Sequence, residues 1–281
     1  WTSDDNTVLG LAPVLPSTRA VFARNEEGGF LGCVVWNEYE EMAFIGFYLV
    51  HPTMVGKGVG SKLWKRAFAR IPAHLNVGLR AVPEMAAKYA AKDTPHFVSS
   101  LSKWELTVRE TRELCSKAPA SASTVRLISD LSPAQRKELL EFDRKVTRRD
   151  RSDLLSRFFE YDRTAGCCLL DGEGRITGYA GITSTGFPAE NKFKIGPVYA
   201  SSTSDALTLL RPLADYCESI STDSLLLLKT LSGTVGEEQI GQLIGRKPTN
   251  EGTTLFSKPF TTTIDTRMCY IPHNNSGHFD A

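Results

Sequence analysis

Residues 42–68 read MAFIGFYLVHPTMVGKGVGSKLWKRAF, and the fold follows from how this stretch divides. Residues 43–50 are an apolar run rich in aromatic and β-branched side chains, the composition of a buried strand. His51-Pro52 ends it, because a proline pushes the residue before it out of the helical region. Then comes Val55-Gly56-Lys57-Gly58-Val59-Gly60-Ser61, with glycine at alternate positions. Behind it Leu63, Trp64, Ala67 and Phe68 recur at helical spacing, with Lys62, Lys65 and Arg66 between them. Such a turn leaves backbone N–H groups unhindered. The helix that follows adds its own unpaired donors and the positive end of its dipole. A phosphate or pyrophosphate is the ligand that suits it.

Two common phosphate motifs fail here. A nucleotide P-loop ends in Gly-Lys-Ser/Thr, whereas this turn ends in Gly60-Ser61-Lys62. A dinucleotide fingerprint needs Gly-x-Gly-x-x-Gly and an acidic residue on the next strand. Gly56, Gly58 and Gly60 are spaced differently, and residues 75–82, the next strand expected, hold no acid. The stretch resembles instead the GNAT superfamily of acetyl-CoA-dependent N-acetyltransferases. The signature there is Gln/Arg-x-x-Gly-x-Gly/Ala between the fourth strand and third helix. Gly58 and Gly60 fall on the two small positions, while Val55 stands where the family has Gln or Arg. Main-chain amides carry most of the pyrophosphate binding in that family. A glycine turn with no ligand is the alternative reading of these residues.

The chain has 281 residues, 41% of them hydrophobic, and a net charge of +1. That is enough for about two globular domains and gives no reason to expect nucleic acid or a membrane surface as partner. No apolar run approaches the length of a membrane span. Cys33, Cys115, Cys167, Cys168, Cys217 and Cys269 are scattered, several inside apolar runs. Small buried thiols in a reducing compartment are expected, hence a cytoplasmic, intracellular protein. Cys167-Cys168 with His273 and His278 lack metal-ligand spacing, and no metal is expected.

The first half begins with a polar, proline-containing segment, residues 1–18. Strands are expected over 19–24 and 30–36, joined through Gly28-Gly29, and feed the central strand as an antiparallel meander. Residues 75–82 should add a parallel strand. Pro83 opens a helix that continues over 85–92, and 97–108 holds the last strands of this half. The order is similar to the GNAT core from its second strand onward, with the first strand and most of the first helices missing. The resemblance implies that Tyr89, on the helix after the fifth strand, protonates the departing thiolate; a tyrosine packed at a helix end is the other reading. Glu38, Glu40 and Glu41 are expected to be a solvated cluster, and His51 a strand-end residue rather than a base.

Ser116-Lys117-Ala118-Pro119-Ala120-Ser121-Ala122-Ser123-Thr124 reads as a linker. Residues 125–281 then repeat the order: a strand at 125–128, a helix capped by Ser132 with Pro133 at its first position, and a second helix holding Leu154, Leu155, Phe158 and Phe159. Strands follow at 166–170, 176–184 and 193–200, a helix at 204–218, a strand at 225–229, a helix at 237–244, and strands at 253–257 and 267–271. The basic run 144–151 is expected to be a solvated helix end. Ile195-Gly196-Pro197-Val198-Tyr199 echoes Ile45-Gly46-Phe47-Tyr48, but the loop after it, Ser201-Ser202-Thr203-Ser204, has no glycine. Hydroxyls at a helix start cap it more often than they bind pyrophosphate.

The fold expected is therefore α/β with a mixed sheet, as two tandem GNAT-like domains. Residues 1–115 form the first, incomplete at its N-terminal side and holding the acetyl-CoA site. Residues 116–124 link it to the second, 125–281, whose cofactor loop is degenerate. The whole is similar to tandem-GNAT proteins of the holothin-acyltransferase type. The resemblance implies direct transfer of an acetyl group from acetyl-CoA to a primary amine of a small-molecule acceptor. Val55, Gly56, Lys57, Gly58, Val59, Gly60 and Ser61 would hold the pyrophosphate, and Tyr48, Leu49 and Val50 the pantetheine and thioester carbonyl. A non-catalytic acyl-CoA-binding sensor or scaffold stays open beside it.

Overall fold

The computed structural model describes residues 10–119 and 121–273. The first half runs β1 (Thr18–Arg24), β2 (Phe30–Glu38), β3 (Met42–Val50), α1 (Val59–Phe68), β4 (Asn76–Ala81), α2 (Pro83–Ala90), β5 (His96–Thr107) and α3 (Val108–Cys115). The second runs β6 (Thr124–Leu127), α4 (Pro133–Thr147), α5 (Ser152–Phe158), β7 (Thr164–Leu170), β8 (Ile176–Ser184), β9 (Lys192–Tyr199), α6 (Thr203–Ile220), β10 (Leu225–Leu231), α7 (Val235–Ile244), β11 (Thr249–Phe256) and β12 (Cys269–Ile271).

β1, β2 and β3 form the antiparallel meander, and β4 returns parallel to β3. Ala43 and Ile45 of β3, with Val77, Leu79 and Ala81 of β4, pack against Leu63, Trp64 and Ala67 of α1. Met42 and Phe44 point to the other face and meet Phe256. α2 begins at Pro83, where a missing N–H costs nothing. Residues 97–108 differ from expectation. One continuous strand, His96–Thr107, stands there rather than several, and Val108 already belongs to the next helix. α3 follows at once, unforeseen, although its start was written locally. Thr107 accepts from the Glu110 amide, and the Glu110 carboxylate accepts from the Thr107 amide, a complete capping box.

The two halves share one sheet of 12 strands, in the order β1-β2-β3-β4-β11-β5-β10-β9-β8-β7-β6, with β12 on β9. β11 belongs by sequence to the second half but lies between β4 and β5. β5 belongs to the first half but pairs with β10, from Leu101↔Leu231 to Thr107↔Leu225. Each half thus lends a strand to the other. Without its partner each half would leave long ladder edges open. Residues 1–123 expressed alone should therefore be insoluble or unfold without cooperativity; a sharp thermal transition for that fragment would contradict the exchange.

The basic run at the end of α4 is a solvated helix end only in part: Arg144, Lys145 and Arg148 are exposed. Arg149 and Arg151 are buried. The Arg151 guanidinium donates to Asp143 through Nε (3.1 Å) and Nη2 (2.5 Å), and Arg149 Nε donates to Glu41 Oε1 at 2.7 Å. Glu41 is thereby tied across the halves, and Glu38 accepts from Trp36 Nε1. Of the expected acidic cluster, Glu40 alone has no bond or ion pair of this kind among the described residues, and it lines the same cleft of about 260 Å³ between the β2–β3 turn and the α4–α5 corner. No helix among the described residues is long and apolar enough to cross a membrane.

Candidate functional site

β3 and β4 are bonded only from Met42↔Asn76 to Ile45↔Leu79. Beyond that point they diverge. The cause lies on the other edge of β3, where Val35 faces Phe47 and Trp36 faces Ile45, leaving Gly46 as an extra residue. A bulge of this kind bends the strand and raises its twist. Residues 46–50 therefore present main-chain groups to an open fork.

The chain leaves the fork through a short 3-10 turn, Pro52–Met54, and reaches the glycine turn. His51 Nδ1 lies 2.8 Å from Thr53 Oγ1, so the histidine caps this turn as a strand-end residue. Gly58 is the N-cap of α1, at φ +81°, and no side chain caps that helix. Gly56 sits at φ +80°. Side chains rarely adopt this region, and a Cβ on either glycine would meet nothing within 4 Å, so both are set by backbone conformation. Gly60 has a different reason. A Cβ there would lie 2.5 Å from the Tyr48 hydroxyl, so the helix can sit on Tyr48 only without one. Among the described residues, the amides of Gly56, Gly58, Val59, Gly60 and Ser61 have no backbone acceptor outside α1. They point outward at a helix start where negative charge is favoured.

Fork and turn open into one cavity of about 540 Å³. Tyr48, Leu49, Val50, Val55, Gly56, Gly58, Gly60, Ser61 and Tyr89 all line it. Lys57 and Val59 do not; the Lys57 amide is bonded to Met54 O at 3.2 Å. Met54, Val82, Met85 and Lys88 line it as well and were not singled out in the sequence. The spacing of Met85, Lys88 and Tyr89 on one face of α2 was the available signal. An extended diphosphate-and-thioester ligand fits these walls: bare amides at one end, an unpaired strand edge along the middle, and a phenol at the other.

Tyr89 is held in an aromatic stack. Its ring centroid lies 5.4 Å from Trp64 and 6.4 Å from Tyr48. Trp64 is fixed in turn by its indole N–H, which donates to Asp93 at 2.6 Å. Burial, with the nearby Tyr48 phenol, pushes the Tyr89 hydroxyl up to about 12. It therefore stays protonated, a donor at every working pH. No carboxylate or histidine is among the described residues lining the cavity.

The second half has the matching bulge but not the open fork. β9 and β10 are bonded only from Leu225↔Lys192 to Leu227↔Lys194. Past this point β12 lies against β9, at Cys269↔Tyr199 and Ile271↔Val198. Gly236 of α7 presses onto it so closely that a Cβ would fall 1.8 Å from Tyr270 O. The helix start is taken too: the Ser202 hydroxyl accepts from the Asp205 amide at 3.1 Å. The second fork is thus filled by its own chain. Cys167 and Cys168 are buried, and burial raises both thiols, Cys168 to about 11. His273 packs edge-on to Phe158, and His278 lies outside the described residues.

The acetyltransferase (GNAT) family profile matches residues 9–90, and an acetyltransferase (GNAT) domain profile matches residues 139–222. An uncharacterized protein of Caenorhabditis elegans, F36G3.2, is 36% identical over 284 residues, spanning 100% of this chain and 90% of that one. Holothin acyltransferase from Pseudoalteromonas sp. (strain SANK 73390) is 28% identical over 211 residues, 72% of this chain and 65% of that one. Among solved structures, a tandem GNAT protein from the clavulanic acid biosynthesis pathway superposes with a TM-score of 0.61 at 17% identity, covering 88% of this chain and 85% of that one. For an acetyltransferase structure from Pyrococcus horikoshii the TM-score is 0.65 at 12% identity, with 94% and 96% covered.

Proposed function

Because the chain belongs to the GNAT acyltransferases and carries two such units in tandem, we propose that its first half moves the acetyl group of acetyl-CoA directly onto a primary amine of a small acceptor. One observation carries this reading: the glycine turn with its bare amides and the open β3–β4 fork share a single cavity with Tyr89.

The residues divide the work by position. The amides at 56, 58 and 59–61 bind the diphosphate of acetyl-CoA, which supplies the activated acyl group. The free edge of β3 at Tyr48, Leu49 and Val50 aligns the pantetheine and donates to the thioester oxygen, drawing charge from the carbonyl. The acceptor nitrogen bonds to the carbonyl carbon as the carbon–sulfur bond breaks. The electron pair leaves on sulfur, and the Tyr89 hydroxyl gives it a proton. A phenol near 12 is a weak acid for an ordinary thiolate. The same apolar cavity raises the thiolate as well, which narrows the gap. The nitrogen's surplus proton passes to water, no base being among the described residues that line the cavity, and a proton taken back from solvent restores the Tyr89 phenol.

Calorimetry with acetyl-CoA tests the binding step; no heat at millimolar ligand would end the reading. For Tyr89→Phe the expected result is a kcat lower by about 10²-fold with unchanged acetyl-CoA affinity. Activity should rise with pH up to the pKa of the acceptor amine, because only the neutral amine attacks, and Tyr89 should contribute no fall below about pH 11. An alkaline fall near pH 9 that vanishes in Tyr89→Phe would contradict the raised Tyr89 hydroxyl, whereas an unchanged kcat in Tyr89→Phe would remove Tyr89 from this role. That no base is among the described residues lining the cavity favours one rival, a sensor that binds acyl-CoA and consumes none. Thiol release with a panel of amines separates the two.

A further inference from the structure

The face of the sheet opposite α1 carries a second set of groups at the same fork. β4 parts from β3 after Leu79, so Arg80 is the first residue of β4 past the parting point. Leu79 and Ala81 turn toward α1, and Arg80, between them, turns to the other face. From there polar residues step across this face of the sheet, shifting four residues along β5 between Ser99 and Lys103. Arg80 stands opposite Thr254, and Thr254 opposite Ser99. Two residues on from Leu101, Lys103 stands opposite Lys229. Lys194 stands opposite Leu227. Side chains at directly opposed positions are neighbours on one face.

The row is cationic, and two of its lysines are buried. Lys229 and Lys194 are 1% and 5% exposed. Glu251 is the extra residue of a bulge in β11. It accepts from Lys229 at 2.8 Å and pairs with Lys103 at 3.2 Å, so one carboxylate is shared by two ammoniums. Glu105 meets Lys103 at the exposed end. Burial pulls Lys229 down to about 7, and the charges of Lys194 and Arg80 pull in the same direction. The signal in sequence was a lysine inside Leu225-Leu226-Leu227-Leu228-Lys229.

Two further groups point to a ligand. Ser99 Oγ and Thr254 Oγ1 are buried and have no hydrogen-bond partner among the described residues. Both residues are more than nine-tenths buried, at 5% and 0% exposure. Buried hydroxyls almost always have a partner, and two adjacent ones without, beside a row of cations, define a cradle for an anion.

We propose that the acceptor is an amine carrying a carboxylate, an amino acid in the broad sense, whose carboxylate is held by Arg80, Ser99 and Thr254 with Lys229 behind them. This deepens the acyl-transfer reading and rests on it. The acyl group enters the fork from the α1 face, and the acceptor comes to the same fork from below. A carboxylate fixed on Arg80 leaves the amine free to reach upward to the carbonyl carbon.

The test is thiol release from acetyl-CoA with the coded amino acids and their matched decarboxylated amines, including phenethylamine, tyramine, cadaverine and methylamine. For the best amino acid, kcat/KM should exceed that of its matched amine by at least about 100-fold. Arg80→Met should erase the preference through KM, with acetyl-CoA affinity unchanged by calorimetry. Thr254→Val should raise the acceptor KM roughly tenfold while its thermal midpoint stays level or rises, since an unpartnered buried hydroxyl is removed. A merely structural threonine would leave KM alone. Matched amines turned over as well as amino acids, or no turnover with any amino acid although acetyl-CoA binds, would overturn the proposal. Unchanged acceptor KM in both variants would do the same. Failure of acetyl-CoA to bind is a separate result and would remove the underlying reading instead.

Discussion

A Gly58→Glu protein will fold and will no longer bind acetyl-CoA. Gly58 sits at φ +81° as the N-cap of α1, so any Cβ there carries backbone strain of about 1 kcal/mol. That is a small part of the stability of a domain. The carboxylate itself does not harm the fold, because negative charge is favoured at a helix start. Its harm is to the ligand. Nothing lies within 4 Å of the position of a Cβ at Gly58, so the side chain extends into the space in front of the bare amides. There it accepts from the N–H groups meant for the diphosphate and repels what it displaces. The expected loss of affinity exceeds about 100-fold by calorimetry, while the thermal midpoint falls by only a few degrees. Gly58→Ala separates strain from charge: it carries the same backbone penalty, and its affinity should fall less than about tenfold. Equal losses in the two variants would mean that the turn matters for its shape alone. Wild-type affinity in Gly58→Glu would move the diphosphate away from this turn.

Legibility in the sequence followed the range of the interaction that fixes each feature. The fork, the turn and α1 are local: an apolar run, a proline, alternate glycines and a helical period are all written within residues 42–68. The same holds for α4, whose Ser132–Gln135 capping box and Pro133 are adjacent in the chain. The strand exchange is not local. β11 meets β4 at Thr253↔Ala81, and no pattern in either segment names its partner. Apolar strands of similar composition pair equally well on paper, and only closure of the whole sheet selects among them. β12 was legible as a strand within 267–271, but its role in filling the second fork was not, because that depends on Tyr199 and Val198 being there to receive it. Val108–Cys115 is a different case, since its capping box was present and was outweighed by the β-rich run before it.

The buried charges of the arginine run mark the limit of this kind of reading and yield the largest expected loss of stability. Residues 144–151 look like a solvated basic stretch because sequence shows charge and not what surrounds it. Asp143, one residue before the run, is 1% exposed and accepts from Arg151 Nε at 3.1 Å, Arg151 Nη2 at 2.5 Å and the Tyr179 hydroxyl at 2.5 Å. Arg151 Nη2 also donates to the Tyr199 hydroxyl at 3.2 Å, linking α4 to β8 and β9. Removing the carboxylate takes from a buried guanidinium and from the Tyr179 hydroxyl the acceptor they share. Asp143→Ala should therefore cost about 3–5 kcal/mol, read as a thermal midpoint lower by roughly 6–20 °C. Such a loss is not a measure of what the pair contributes. Two charges taken from water give back much of their attraction as desolvation, so replacing both by apolar groups of like volume, Asp143→Leu with Arg151→Met, should recover most of the midpoint. Recovery in the double variant would assign the network to positioning α4 against the sheet rather than to net stability. A double variant as unstable as Asp143→Ala would show instead that the hydrogen bonds to Tyr179 and Tyr199 hold the second half together in their own right.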